Sequence, residues 1–292
     1  MSIQHEAWDA KIAPQIGHYI IEVPNGVSHY IDEIVTSIQT RGFALLSGLG
    51  SSKDHERLLA ELTQLSASIG TIVAQSPRGE KIEDVRDFSD VDEKDDRGYR
   101  SRGELTPHSD PPTIILLHCL NKAKSGGESY IVNVRSIHDR IKDTAPHLLN
   151  ELYGKFPFWS VEGQGGRKEP GPAPYRRPIF AERDGNVSCV YYRPFIEMAA
   201  NALNEPLTQL QTEALDLFDY FATSPDLAVR FHLQPDQTML LQNRAVLHAR
   251  TDYEDWAEPE KRRHLLRVWI DAPEKFPATA EHEIGDLFKS PV

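Results

Sequence analysis

From Thr113 to Asp271 the chain is written in short apolar runs rich in β-formers, separated by turn signals such as Gly, Pro, Asn and Asp. Runs this short, punctuated by turn residues, pack as antiparallel strands and favour a sandwich or barrel. The expected strands are 113–120, 128–134, 188–193, 237–242, 245–249 and 264–271, interrupted by one amphipathic helix from about Leu207 to Ala222. Upstream, Ile31, Ile34, Val35 and Ile38 recur at helical spacing until Gly42, and Phe43–Gly48 reads as a short buried strand. A second helix follows, capped by Ser51 or Ser52, with Leu58, Leu59, Leu62, Leu65 and Ile69 inward and Gly70 at its end. The fold class expected is mainly β with flanking helices, α+β, in one domain over 1–292, since no composition break divides the chain.

The formal net charge of −12 argues against nucleic-acid and anionic-membrane partners, because both need a basic face. Cys119 and Cys189 have apolar neighbours and read as reduced core thiols. The N-terminus lacks a secretion signal and no apolar run spans a bilayer, so a cytoplasmic protein is expected. The polar stretch 76–104, including Asp90–Arg97, reads as a solvated loop or a lid.

Chemistry concentrates in Leu105-Thr-Pro-His-Ser-Asp110. His108 and Asp110 are two residues apart, so in an extended segment both side chains point the same way and can hold one divalent ion. A turn with Asp bonding local backbone explains the same pair. For a third ligand, His118 reads as a core residue and His138, His147 and His232 as surface residues. His248 differs, because Leu240–Arg250 reads as two strands joined by a turn at Asn243-Arg244. In the 264–271 strand and the residue before it, alternation sets Arg263, Leu265, Arg267 and Trp269 against His264, Leu266, Val268 and Ile270. If both faces are covered, two guanidinium groups enter an enclosed space and need an anion; on an edge strand they would face water. Two His and a carboxylate form a facial triad with three open positions, as in non-haem Fe(II) oxygenases.

His108-Ser-Asp110, Ser125-Gly-Gly-Glu-Ser129, Asn243-Arg-Ala-Val-Leu-His248 and Arg262-Arg-His-Leu-Leu-Arg267 occur in an order and spacing that resembles the taurine dioxygenase/clavaminate synthase-like family. The resemblance covers roughly residues 40 to 272. It implies a double-stranded β-helix (jelly-roll) core over about 105–272, helical support over about 1–75, and an insert over about 155–187. It implies Fe(II) on His108, Asp110 and His248, with 2-oxoglutarate and O2 as co-substrates. Arg263, fifteen residues after His248, matches the residue that pairs with the distal carboxylate of 2-oxoglutarate, and Ser129 matches a hydroxyl on the same carboxylate. Arg267 matches a position that in some members binds an anionic group of the substrate, and either arginine can take the co-substrate. Glu104 falls where some members contact substrate. Trp159 and the 163–174 segment are expected at the mouth of the site. Asn243, Arg250, Tyr192 and Arg193 flank the motifs and read equally well as structural residues.

The implied reaction is hydroxylation of an unactivated C–H of a small polar substrate, with release of succinate and CO2. Asp110 favours it, since halogenating members carry a small residue there. A zinc hydrolase using the same three ligands leaves the inward arginines without a role, and a non-catalytic jelly-roll binding protein does not require all three ligands. The residues do not specify the substrate or the oligomeric state.

Overall fold

The computed structural model describes residues 5–24, 26–50, 54–75, 79–88, 98–159 and 175–282. Two sheets organise it. The larger runs Ile20–Glu22, Phe43–Ser47, Gln237–Gln242, Ile114–Asn121, His264–Asp271 and Thr71–Val73, with Ile82–Val85 also paired to His264–Asp271. Among the described residues only the pair Ile20–Glu22 with Phe43–Ser47 is parallel. The smaller sheet runs Val229–Phe231, Ser129–Asn133, Val246–Arg250 and Leu105–His108, antiparallel throughout.

Strand alternation divides the apolar residues between the faces of these sheets. Phe43, Leu45, Ile115, Met239, Leu241, Leu265 and Trp269 of the larger sheet share one core with Ile131, Val229 and Val246 of the smaller. The opposite face of the larger sheet, with Leu46, Leu116, Leu240, Leu266, Val268 and Ile270, packs on the N-terminal helices. Those helices are α1 (Ile31–Arg41) and α2 (His55–Ile69), which contribute Ile34, Ile38, Leu58, Leu62, Leu65 and Ile69. Each fully buried aliphatic side chain of this kind contributes about 1.5–3 kcal/mol relative to exposure.

The outer face of the smaller sheet carries Tyr130, Val132, Leu247 and Ala249. Four helices participate in covering it: α3 (Val134–Thr144), α4 (Pro146–Leu152), α5 (Arg193–Leu203) and α6 (Gln209–Thr223). A capping box starts α6, Thr208 and Gln211 each bonding the other's backbone N–H. The architecture is therefore sheet-rich with flanking helices, as expected.

Several expectations change. The 188–193 strand ends at Cys189, and Arg193 opens α5 with Pro194 in its first turn, where a fixed φ favours helix and the missing N–H costs nothing. The backbone of Tyr191 instead bonds Ser109, whose N–H reaches Tyr191 O at 2.9 Å while Tyr191 N–H reaches Ser109 Oγ at 3.0 Å. Helices α3 and α4 were not expected. Because α3 is amphipathic, His138 is buried rather than at the surface, its Nε2 3.1 Å from Tyr153 Oη; His147 and His232 are exposed. The polar 76–104 stretch contains the strand Ile82–Val85, so it is not wholly a solvated loop. Asp54 caps α2, its carboxylate accepting the Arg57 N–H at 3.2 Å. Ser51, Ser52, Asp90–Arg97 and the 163–174 segment lie outside the described residues. No helix among those described is long and apolar enough to cross a membrane.

Candidate active site

The turn at Asn243-Arg244 does not join neighbours in one sheet. Gln237–Gln242 belongs to the larger sheet and Val246–Arg250 to the smaller, so the chain crosses between them there. The Leu105–His108 strand and the Ile114–Asn121 strand make the same crossing through Ser109-Asp110-Pro111-Pro112. The two crossings clasp each other. Asn243 Oδ1 accepts the Asp110 N–H, and its Nδ2 donates to Pro112 O at 2.9 Å. Arg244 donates to Asp110 O at 3.2 Å and to Pro111 O at 2.7 Å.

Within the smaller sheet His248 lies directly across from His108, and the two rings are 4.2 Å apart. Asp110 completes the group: Oδ1 is 3.9 Å from His108 Nε2 and Oδ2 is 4.0 Å from His248 Nε2. One ligand atom from each residue lies within 4.8 Å of the others. A carbonyl can only accept, so the 2.8 Å contact between His108 Nδ1 and Thr106 O places a proton on Nδ1 and makes Nε2 the ring atom available as a ligand. Burial lowers the His248 pKa to about 3, with His108 adding to the effect, so its imidazole stays neutral. Burial works against a charge on Asp110, but the Arg267 guanidinium leads the neighbours that outweigh it, the Trp269 N–H among them, and its pKa is held below the ordinary value. Two imidazoles and a carboxylate arranged in this way suit a divalent iron.

Arg263 and Arg267 are both buried, so the edge-strand alternative fails. Their surroundings differ. Arg267 is engaged on every side: Nε donates to Gln75 Oε1 at 2.7 Å, Nη2 lies 3.5 Å from Glu83 Oε2, and Nη1 lies 3.6 Å from Asp110 Oδ2. The Tyr99 ring lies 4.4 Å from its guanidinium carbon. Arg263 sits over the Tyr253 ring at 5.2 Å, and its Nη1 is buried without a hydrogen-bond partner. Buried unpaired N–H donors are rare in native proteins, and an anion relieves this one.

Ser125-Gly-Gly-Glu-Ser129 shapes the floor beneath Arg263. Gly126 and Gly127 have φ of +68° and +67°, and a Cβ on Gly126 would lie 2.3 Å from Asp252 O. Ser129, buried, pairs with Arg250 across the smaller sheet. Glu104 stands apart, exposed, with its carboxylate toward the Tyr130 hydroxyl on the sheet's outer face. Trp159 is buried and joins the site through aromatic neighbours. Its backbone N–H meets Phe195 O at 3.2 Å, Phe195 packs on Tyr192 at 4.5 Å, and Tyr192 lies 5.4 Å from the His108 ring. Tyr192 also senses Asp110: burial and then that carboxylate raise its pKa.

Known proteins resemble this chain. The chain is 34% identical over 208 residues to FR-33289 synthase of Streptomyces rubellomurinus, covering 70% of this chain and 60% of that protein. It is 28% identical over 246 residues to taurine hydroxylase-like protein SAT17 of Stachybotrys chartarum, covering 79% and 61%. The match thus spans less than two thirds of either relative's length. Among solved structures, asparagine oxygenase in complex with Fe(II), 2S,3S-3-hydroxyasparagine and succinate superimposes with a TM-score of 0.65 at 16% identity, covering 87% of this chain and 94% of that one. The non-haem iron oxygenase OrfP, in complex with Fe, succinate and (3S)-hydroxy-L-Arg, gives 0.61 at 14% identity, covering 93% and 89%. These two show the shared fold. The model of the family described as taurine catabolism dioxygenase TauD, TfdA matches residues 10–269. That interval contains the smaller sheet, all but the last two residues of the larger sheet and every residue of the site, and the chain belongs to the TauD/TfdA family of Fe(II)- and 2-oxoglutarate-dependent oxygenases.

Proposed function

We propose that this chain hydroxylates an unactivated C–H of a small polar, amino-acid-like substrate while 2-oxoglutarate is converted to succinate and CO2. The observation that carries the reading is the combination of three converging ligand atoms with a buried guanidinium donor left unpaired nearby. His108, Asp110 and His248 would hold Fe(II), which supplies O2 activation when bound. Arg263 and Ser129 would take the distal carboxylate of 2-oxoglutarate.

The two arginines divide the work. Arg267 already faces two carboxylates, so it serves Asp110; Arg263 has a donor to spare. The Trp269 N–H, 3.2 Å from Asp110 Oδ2, orients the same carboxylate. Leu265, Trp269 and Ile131 keep bulk water from the inner space. Asp110 fills the position of the third protein ligand, which supports hydroxylation over halogenation. The hydroxylated amino acids bound by asparagine oxygenase and OrfP support an amino-acid-like substrate here. A zinc hydrolase would have no use for the spare donor on Arg263.

Anaerobic addition of 2-oxoglutarate to the Fe(II)-loaded chain tests this reading. A weak visible charge-transfer band is expected, absent in His108→Ala and Asp110→Ala. Succinate release is then measured across a panel of amino acids, amines, sulfonates and peptidyl or carrier-bound analogues. Turnover of a substrate without 2-oxoglutarate would overturn the proposal.

A further inference from the structure

Arg263 is not the only buried cation with an unused donor. Arg250 stands two residues beyond His248 on the same strand, so alternation turns it to the same face, and it lies directly across from Ser129. It is 4% exposed. Its Nε donates to Thr251 O at 3.3 Å, and its Nη2 donates to Ser101 O at 3.0 Å and also to Gly103 O. Its Nη1 is buried and has no hydrogen-bond partner.

Arg250 and Arg263 converge on one ring. Their guanidinium carbons lie 4.9 Å and 5.2 Å from the centre of Tyr253. The carboxylate of Asp255 accepts the backbone N–H of Arg263 at 2.7 Å, but no carboxylate is hydrogen-bonded to either Nη1. Two like charges brought together in a closed space repel, and burial followed by Arg263 lowers the Arg250 pKa to about 10. A single anion with two oxygens would satisfy both spare donors and relieve the repulsion.

We infer that Arg250 is a second guanidinium for the distal carboxylate of 2-oxoglutarate, acting with Arg263 and Ser129. This rests on the proposed oxygenase reading and adds a residue to it. Arg263 approaches from the larger sheet and Arg250 from the smaller, so the carboxylate would be gripped from both sides. A keto acid lacking that carboxylate would leave both donors unpaired, which makes the arginine pair a filter for the charged end of the co-substrate.

The test compares 2-oxoglutarate with 2-oxopentanoate, which keeps the keto acid head and replaces the distal carboxylate by a methyl. Affinities are measured by anaerobic calorimetry on the full Fe(II)-loaded chain. The unaltered protein should prefer 2-oxoglutarate. Arg250→Gln should weaken 2-oxoglutarate about tenfold or more, the scale of a hydrogen bond to a charged group, and leave 2-oxopentanoate within about twofold. Arg250→Lys keeps the charge without the forked donor geometry and should show a smaller loss of the same preference. It carries the test if the Gln variant does not fold. An equal loss for both acids would mean a purely structural role, and an unchanged preference in the folded variants would remove Arg250 from the site; either overturns the inference. If the unaltered protein binds no 2-oxoglutarate, the oxygenase reading itself fails, a result distinct from failure of Arg250 alone.

Discussion

Asn243 Oδ1 accepts the backbone N–H of Asp110 at 3.1 Å across 133 residues of chain. The bond ties the crossing that carries Asp110 to the crossing that leads into the His248 strand. The amide is fully buried, so its two hydrogen bonds form without competition from water. The convergence of His108, Asp110 and His248 follows from this clasp as well as from strand pairing.

Asn243→Ala should therefore affect both stability and metal binding. Loss of two buried hydrogen bonds is expected to destabilise the fold by about 2 kcal/mol. Freeing the Asp110 segment should weaken Fe(II) about tenfold or more, as for residues that orient metal ligands. Urea unfolding and anaerobic Fe(II) titration measure the two effects, and unchanged iron affinity would refute the positioning role.

Arg263 and Arg267 should separate in binding measurements. Arg263→Met is expected to lower 2-oxoglutarate affinity by about tenfold or more and leave Fe(II) affinity nearly unchanged. Arg267→Met removes the cation 3.6 Å from Asp110 Oδ2 and should chiefly weaken Fe(II). If Arg263→Met leaves co-substrate affinity intact, the assignment of that residue is wrong.

Gly126→Ala places a Cβ 2.3 Å from Asp252 O at a φ of +68°. A destabilisation of about 1–3 kcal/mol is expected, together with weaker 2-oxoglutarate binding, because Gly127 next to it lies under the Arg263 side chain. Gly17→Ala, where nothing lies within 4 Å of the added Cβ, serves as the control and should not weaken the fold comparably. Thermal melts of the two variants decide it.

His118 predicts a loss of stability toward acid. Burial lowers its pKa from 6.5 to about 4, against a smaller opposing effect of Asp236. The unfolded chain then binds more protons than the folded one between those values. Stability from this residue is full above pH 6.5, declines as pH falls toward 4, and levels off below. His118→Leu should flatten that decline, by as much as about 3 kcal/mol between pH 7 and 4. The same slope in both proteins, measured by urea unfolding at each pH, would exclude His118 as the cause.

Most of the strands, and the three side chains that converge at the candidate site, were legible because each is written locally. Alternation in 264–271 set Arg267 on the same face as Leu265 and Trp269, and His108 with Asp110 needed only an extended backbone between them. Helices α3 and α5 were missed because they lie beside apolar runs that also read as strands, and packing on the smaller sheet decides between the two. Which arginine keeps a free donor could not be read from order along the chain. Gln75 and Glu83 meet Arg267 because Thr71–Val73 and Ile82–Val85 both pair with its strand, 180 or more residues before their partner. Arg250 joined Arg263 for a similar reason, since their two strands belong to different sheets and meet only when the sheets close over a common core. Periodicity specifies the face on which a side chain emerges; the partners it finds there depend on distant strands, whose pairing only the folded chain establishes.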